Sequence, residues 1–442
     1  MRFFIFFLIF STIYACSFDN KSGIWQNQNK ILTNKNDQFK DFKRISITTK
    51  RFNKEIILDK KSYVQILKPI NNFEWNDIFY NNENNLANFE YSGQIKSIFK
   101  SKKMTRYKTN KSILSKNENL ITSDENGNII VYSIKDNRII SKYNFYKKKF
   151  KKLKKKLNYI IDEDVIFISD NLGFLYAYDF TKNKIIWAKN YKIPFRSNLK
   201  LLNNKLIASN QNNNLLILNK VSGDLFKSIP TEETNIKNQF INNLTLNKKN
   251  LFFINSFGSL YSIDIDKMKI NWFINLNQSS NLNPANIFFG SQLVFYEGKI
   301  LISANDSTYV IDANTGTIIY KFNFFSIVKP IINNNIAFLT TENDLLVSIN
   351  IKNGKILFSR KITNQVAKFV NTKRKNKLNI INIFLLNNKI YIFLQNSFLL
   401  KFNLNGELSD IYKLPSKINS RPIIIDKKIL FINTKNNLVI MN

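Results

Sequence analysis

Histidine is absent from this chain of 442 residues, and cysteine occurs once, at Cys16. Histidine-based triads, histidine metal ligands and imidazole acid–base chemistry are therefore excluded, as are an intrachain disulfide and a thiol-rich zinc site. What remains is charge: 66 Lys and Arg against 31 Asp and Glu, a net +35. Two runs concentrate it. One holds Lys147, Lys148, Lys149, Lys151, Lys152, Lys154, Lys155 and Lys156, interleaved with Phe150 and Leu153; the other is Lys373-Arg374-Lys375-Asn376-Lys377. Such runs suit an anionic lipid surface, where each basic residue contributes ~1 kcal/mol. They also suit nucleic acid or an acidic protein. The remaining basic charge is spread along the whole chain together with Asn and Ile, which do nothing for phosphate. Composition and solubility account for most of it.

The N-terminus reads as an address. Arg2 precedes an apolar stretch from Phe3 to Tyr14, broken only by Ser11 and Thr12. At about twelve residues it is too short for a membrane span and suits the apolar region of a signal peptide. It ends in Ile13-Tyr14-Ala15-Cys16, which resembles a bacterial lipobox, with Cys16 as the lipidated first residue of the mature chain. Several acyl chains give stable anchoring where one gives marginal binding. Ser17 follows the cysteine, and resemblance to lipoprotein sorting implies the periplasmic face of the outer membrane. Nucleic acid conflicts with such an export signal. The expected organisation is a signal peptide over 1–15, an anchored tether and extension over 16–90, and one domain over 91–442.

The elements that carry the rest are strands. Apolar content of 44% and 39 Phe allow a sizeable core, and 11 Gly with 7 Pro leave the turns to Asn, Asp and Ser. Asp170 to Trp187 is the clearest unit: a turn at Gly173, a strand from Phe174 to Tyr178, a polar turn, and a strand beginning Ile185-Ile186-Trp187. The Gly173 position recurs at Gly127, Asn213, Gly258, Asp306, Asp344, Ser397 and Asn436, at intervals of about 40 to 50 residues, the period of a four-stranded propeller blade. Another strand precedes each turn, as at Val165 to Ile168, and a further short one precedes that, as at Ile327 to Ile332. Trp187, Trp272, Tyr320 and Phe358 hold one repeating register and are expected to wedge between blades.

The eighth unit ends at Asn442, after its third strand. An unfinished blade would expose a sheet edge. The lone strand Gln94 to Lys100 can supply the missing one and latch the ring. The fold expected is all-β: an eight-bladed propeller of four-stranded antiparallel blades, closed by an N-terminal strand. Upstream, Glu74-Trp75 and the asparagines from Asn81 to Asn88 read as a structured loop anchored by Trp75, and Arg44 to Thr49 and Tyr63 to Leu67 as short strands or extended arms.

The repeat resembles the pyrroloquinoline-quinone-like propeller repeat, best at Asp170 to Trp187 and Asn255 to Trp272. With a lipobox in front, the chain is similar to the BamB-like lipoproteins of the outer-membrane β-barrel assembly machinery. That resemblance implies a monomeric, non-catalytic scaffold that contacts the central barrel-assembly subunit and other envelope proteins. The contact role falls on Pro194, Phe195 and Arg196, in the loop after Trp187. An acidic contact of the family falls near Asn286, within Asn283 to Phe288, where no carboxylate stands.

The repeat name raises a second class, quinone-dependent dehydrogenases. Their calcium needs oxygen ligands, and their chemistry a carboxylate base. Acidic and amide residues here sit at turn positions, and two of the four Trp are assigned as wedges. The expectation is no catalytic residue, no metal and no cofactor. The other alternative is an envelope adhesion or recruitment propeller with a different partner.

Overall fold

The structure is a computed structural model that describes residues 51–59, 64–233, 241–277, 288–372 and 378–442. Among these, eight sheets each contribute four consecutive antiparallel strands or their equivalent. Blade two shows the pattern: Leu157–Asp162, Val165–Asp170, Phe174–Asp179 and Lys184–Asn190. The other blades occupy 114–144, 200–229, 243–275, 294–322, 331–361, 380–413 and 423–441. First strands of neighbouring blades touch one another around the axis. Burial follows the same order. Phe174–Asp179 is almost wholly buried, whereas Lys184–Asn190 alternates exposed and covered residues, because only its inner edge has a neighbour.

The ring closes as the sequence requires. Blade eight holds Ile423–Ile425, Lys428–Ile432 and Leu438–Met441, and its outer strand is Ser97–Lys100 from the N-terminal side. Ser97 pairs with Met441, Phe99 with Ile440 and Lys100 with Val439. First and last parts of the chain thus share one sheet, and that blade has its full complement.

The turn chemistry explains the wealth of Asn. Asp170 ends a second strand and Asp124, Asn210, Asn255 and Asn433 each directly follow one, and each side-chain Oδ1 accepts the backbone N–H groups two and four residues on. This is the Asx turn, repeated blade after blade. Seven of the eight expected left-handed positions have positive φ, among them Gly173 at 90°, Asn213 at 71° and Asn436 at 62°. In blade five the left-handed residue is Asn305 rather than Asp306, because only two residues separate Lys299–Ala304 from Ser307–Asp312. The first strand of blade six is Ile331–Asn333, shorter than Ile327 to Ile332. Pro330, with no N–H to donate, stands immediately before it.

The four aromatic wedges lie between blades as expected, and each has a glycine beneath it. A Cβ on Gly223, Gly316, Gly354 or Gly406 would come within 2.5–2.7 Å of the ring of Trp187, Trp272, Tyr320 or Phe358, respectively. Trp187 and Trp272 also donate their indole N–H to the carbonyls of Lys220 and Ala313, at 3.0 and 3.1 Å. Each wedge thereby fixes the spacing of adjacent sheets.

The axis is occupied by residues 70–90, which visit the blades in circular order. Asn72 bonds Ile424 of blade eight, Trp75 pairs with Ser115 of blade one, and Asp77 with Ile160 of blade two. Asn82 reaches Leu201 of blade three and Leu246 of blade four. Glu83 meets Phe295 of blade five, Asn85 meets Ile332 of blade six, and Asn88–Phe89 adds a parallel strand to blade seven. Antiparallel order puts the first-to-second and third-to-fourth strand turns on one face of the ring. The second-to-third turns and the blade-to-blade connections lie on the other, here termed the connection face. The axial segment meets the first strands mostly toward their ends on the turn face.

Candidate functional site

The loop from Tyr191 to Leu199 joins blades two and three on the connection face. Its path depends on Gly173: a Cβ there would lie 2.9–3.0 Å from the backbone of Lys192 and Ile193. Backbone bonds then hold the loop down. Tyr191 N–H donates to Gly173 O, Phe195 N–H to Asp170 O, and Arg196 N–H to Ser209 O, at 2.8 to 3.0 Å. Gln211 N–H donates to Pro194 O at 2.7 Å.

These bonds sort the three expected contact residues. The Phe195 ring is buried, 2% exposed, edge-on to Tyr191 at 5.8 Å and within the core between blades two and three. It anchors the loop. Pro194 and Arg196 are partly exposed beside it. Among the described residues the Arg196 guanidinium has no hydrogen bond or ion pair, and burial lowers its pKa. It stays charged at neutral pH. A fixed, partly desolvated and unpaired guanidinium suits a carboxylate arriving from outside.

The preceding connection, from blade one to blade two, carries the long lysine run on the same face. Lys148–Phe150 forms one 3₁₀ turn, pinned by the Phe150 ring, edge-on to Phe174 at 5.7 Å. Lys147, Lys148, Lys149, Lys151, Lys152, Lys154 and Lys156 are exposed. Lys155 is not, which corrects its place among the anionic-surface contacts. It is 1% exposed, donates to Phe150 O at 2.7 Å and lies over the Tyr146 ring at 5.0 Å. An aromatic wall and a carbonyl hold its ammonium inside the loop. Seven lysines and Arg196 thus project from adjacent connections.

Cys16, Lys373 to Lys377 and Asn286 lie outside the described residues, as do residues 1–15 and 44–49. The residues that sequence reasoning missed are in the axis. Lys200 Nζ pairs with Asp77 at 2.7 Å and bonds Asn81 O and Asn84 Oδ1. Lys329 Nζ donates to the carbonyls of Phe79 and Asn84. In a chain this rich in lysine, nothing in the sequence distinguishes these two. The asparagine cluster from Asn81 to Asn88 was the available signal.

Among the described residues no group of three or more acidic, Cys or His side chains comes together. No helix there is long and apolar enough to cross a membrane.

Residues 256–442 match the family model described as outer membrane protein assembly factor BamB. No curated protein matches the chain significantly. Among solved structures, BamB from Moraxella catarrhalis superposes with a TM-score of 0.62 at 12% identity, covering 78% of this chain and 99% of that one. A computationally designed protein, Ika8, gives 0.59 at 10% identity, covering 78% and 99%. Quinohemoprotein alcohol dehydrogenase from Comamonas testosteroni gives 0.60 at 9%, covering 83% and 80%. A natural assembly factor, a designed protein and an oxidoreductase share this architecture, so the likeness speaks for fold alone. The chain is thus an eight-bladed β-propeller that resembles BamB in fold, and its residues 256–442 match that family's model.

Proposed function

We propose that this chain is a non-catalytic scaffold of the outer-membrane β-barrel assembly machinery. It is lipidated at Cys16 on the periplasmic side and binds the central assembly subunit through its connection face. The reading rests chiefly on Arg196, an unpaired and partly buried guanidinium on a loop tied down at Gly173, Asp170 and Ser209. Phe195 supports that loop from beneath, and Pro194 flanks the contact. The seven exposed lysines between Lys147 and Lys156 extend the positive strip, steering an acidic partner or resting on anionic lipid.

A catalytic reading fits the residues poorly. A calcium that polarises a quinone asks for clustered oxygen ligands including carboxylate. A cavity on the axis has four cations and no Asp or Glu among its lining residues.

One observation favours a second reading, an envelope recruitment propeller with a different partner. The segment where a BamB-like acidic contact is expected holds Asn286 and no carboxylate. Purification of the full, anchored chain from detergent-solubilised envelope separates the two. Co-purification of the barrel-assembly subunit supports the first reading, whereas its absence beside another stoichiometric partner supports the second.

A further inference from the structure

The axial segment does not fill the ring. Between it and the connection face lies a cavity of about 540 Å³, within the range of small-molecule sites. Trp75, Ile78 and Phe79 of the axial segment form its floor, and its walls come from the connections and turns that enter blades five to eight and blade one. Four of the lining residues are cations: Lys108, Lys111, Lys329 and Arg421.

These cations are not equivalent. Lys329 is committed to the carbonyls of Phe79 and Asn84. Lys108 and Lys111 are exposed, at the mouth. Arg421 is largely covered and held in place by its backbone N–H, which donates to Lys111 O at 2.7 Å. Its guanidinium lies over the Phe79 ring at 5.5 Å and, among the described residues, makes no hydrogen bond or ion pair. Burial lowers its pKa, and Lys329 is 5.7 Å from the same ring. A guanidinium offers five N–H donors in a planar fork that matches a carboxylate. Leaving such a charge covered and unpaired is costly, and a bound oxyanion removes the cost. The wall beside it is aliphatic, with Ile380 and Ile418 lining the same space.

We propose that the axial cavity binds an organic carboxylate, its acidic group held by Arg421 and Lys111 and its carbon body against Ile380 and Ile418. The carboxylate belongs either to a free polycarboxylic acid or to an acidic peptide entering from the connection face. This site is separate from the Arg196 loop and stands or falls without it.

Calorimetric titration of the full chain tests the assignment with four probes: citrate, a hexaglutamate peptide, its hexaglutamine counterpart and inorganic phosphate. Saturable one-site binding of citrate or hexaglutamate is expected, weakened at least tenfold in Arg421→Gln and in the exposed-site variant Lys111→Gln, and unchanged in Lys148→Gln/Lys149→Gln. Citrate binding without the peptide identifies a free acid as the source; peptide binding without citrate identifies a chain segment. Hexaglutamine should not bind, and phosphate should bind much more weakly. Failure of both carboxylate probes overturns the proposal, as does phosphate binding equal to theirs. Loss of binding in the Lys148/Lys149 variant, with Lys111→Gln unaffected, overturns it too.

Discussion

Lys200, on the innermost strand of blade three, and Asp77, in the axial segment, form an ion pair of 2.7 Å with side chains 0% and 5% exposed. Burial lowers the Lys200 pKa, and the Asp77 carboxylate opposes that shift. The pair joins a segment that precedes the propeller to the inside of the ring. Buried pairs are weak evidence of net stabilisation, but removing one partner strands the other charge. Lys200→Met is therefore expected to lower unfolding free energy by ~3–5 kcal/mol, measured by urea denaturation. A loss below about 1 kcal/mol, the range of a solvated pair, contradicts the structure.

The wedge between blades four and five predicts a difference between two glycines of similar backbone. Gly316 has φ 76° and Gly298 φ 77°, but a Cβ on Gly316 would meet Trp272 at 2.7 Å, whereas Gly298 has open space. Gly298→Ala should cost only left-handed strain, ~1–2 kcal/mol. Gly316→Ala should cost that plus overpacking of roughly 1–3 kcal/mol. Thermal denaturation of the two variants reads the gap; equal losses would argue against the wedge.

Closure rests on Ser97–Lys100. Phe99→Pro places a residue without N–H opposite Ile440 and disturbs that pairing. The expected result is a loss of roughly 1–3 kcal/mol. Concentration-dependent aggregation should accompany it, from the edge left on Leu438–Met441. Light scattering during thermal unfolding checks both, and wild-type behaviour would show that the latch is dispensable.

Asp170 makes a pH prediction. Burial raises its pKa, and the Tyr146 hydroxyl and three backbone N–H groups of its turn pull the other way. With the folded value above the unfolded 3.8, the folded chain binds more protons between the two. This contribution is full below 3.8 and is lost as pH rises through the folded value. Asn stands at the equivalent position in Asn210, Asn255 and Asn433 and makes the same turn bonds. Asp170→Asn should therefore abolish this part of the pH dependence in stability curves from pH 3 to 7, leaving neutral-pH stability equal or higher. A marked loss at pH 7 would mean that the carboxylate itself is required.

The ring was legible because its information is local and repeated. A left-handed residue followed by an apolar run recurs at Gly127, Gly173 and Gly258, and Asn and Asp replace glycine where only φ is at issue. Edge physics pointed to a closing strand within Gln94 to Lys100, and Ser97–Lys100 is the part of it that pairs. The axis was not legible. Lys200, Lys329 and Arg421 are three cations among 66, and their burial follows from a segment far upstream. Trp75 and the asparagines announced a structured loop but not its circuit of eight blades. At the candidate contact, Phe195 and Arg196 look equivalent in sequence; the bond from Phe195 N–H to Asp170 O turns one inward and leaves the other facing out.

Affinity of the full chain for the purified central barrel-assembly subunit tests the scaffold account most directly. Wild type should bind, with affinity falling as salt rises. Arg196→Glu should weaken binding at least tenfold, and Lys352→Glu, in the exposed third-to-fourth strand turn of blade six on the opposite face, should leave it within twofold. No binding by wild type, or equal affinity for wild type and Arg196→Glu, would contradict the assignment of the connection face as the docking surface.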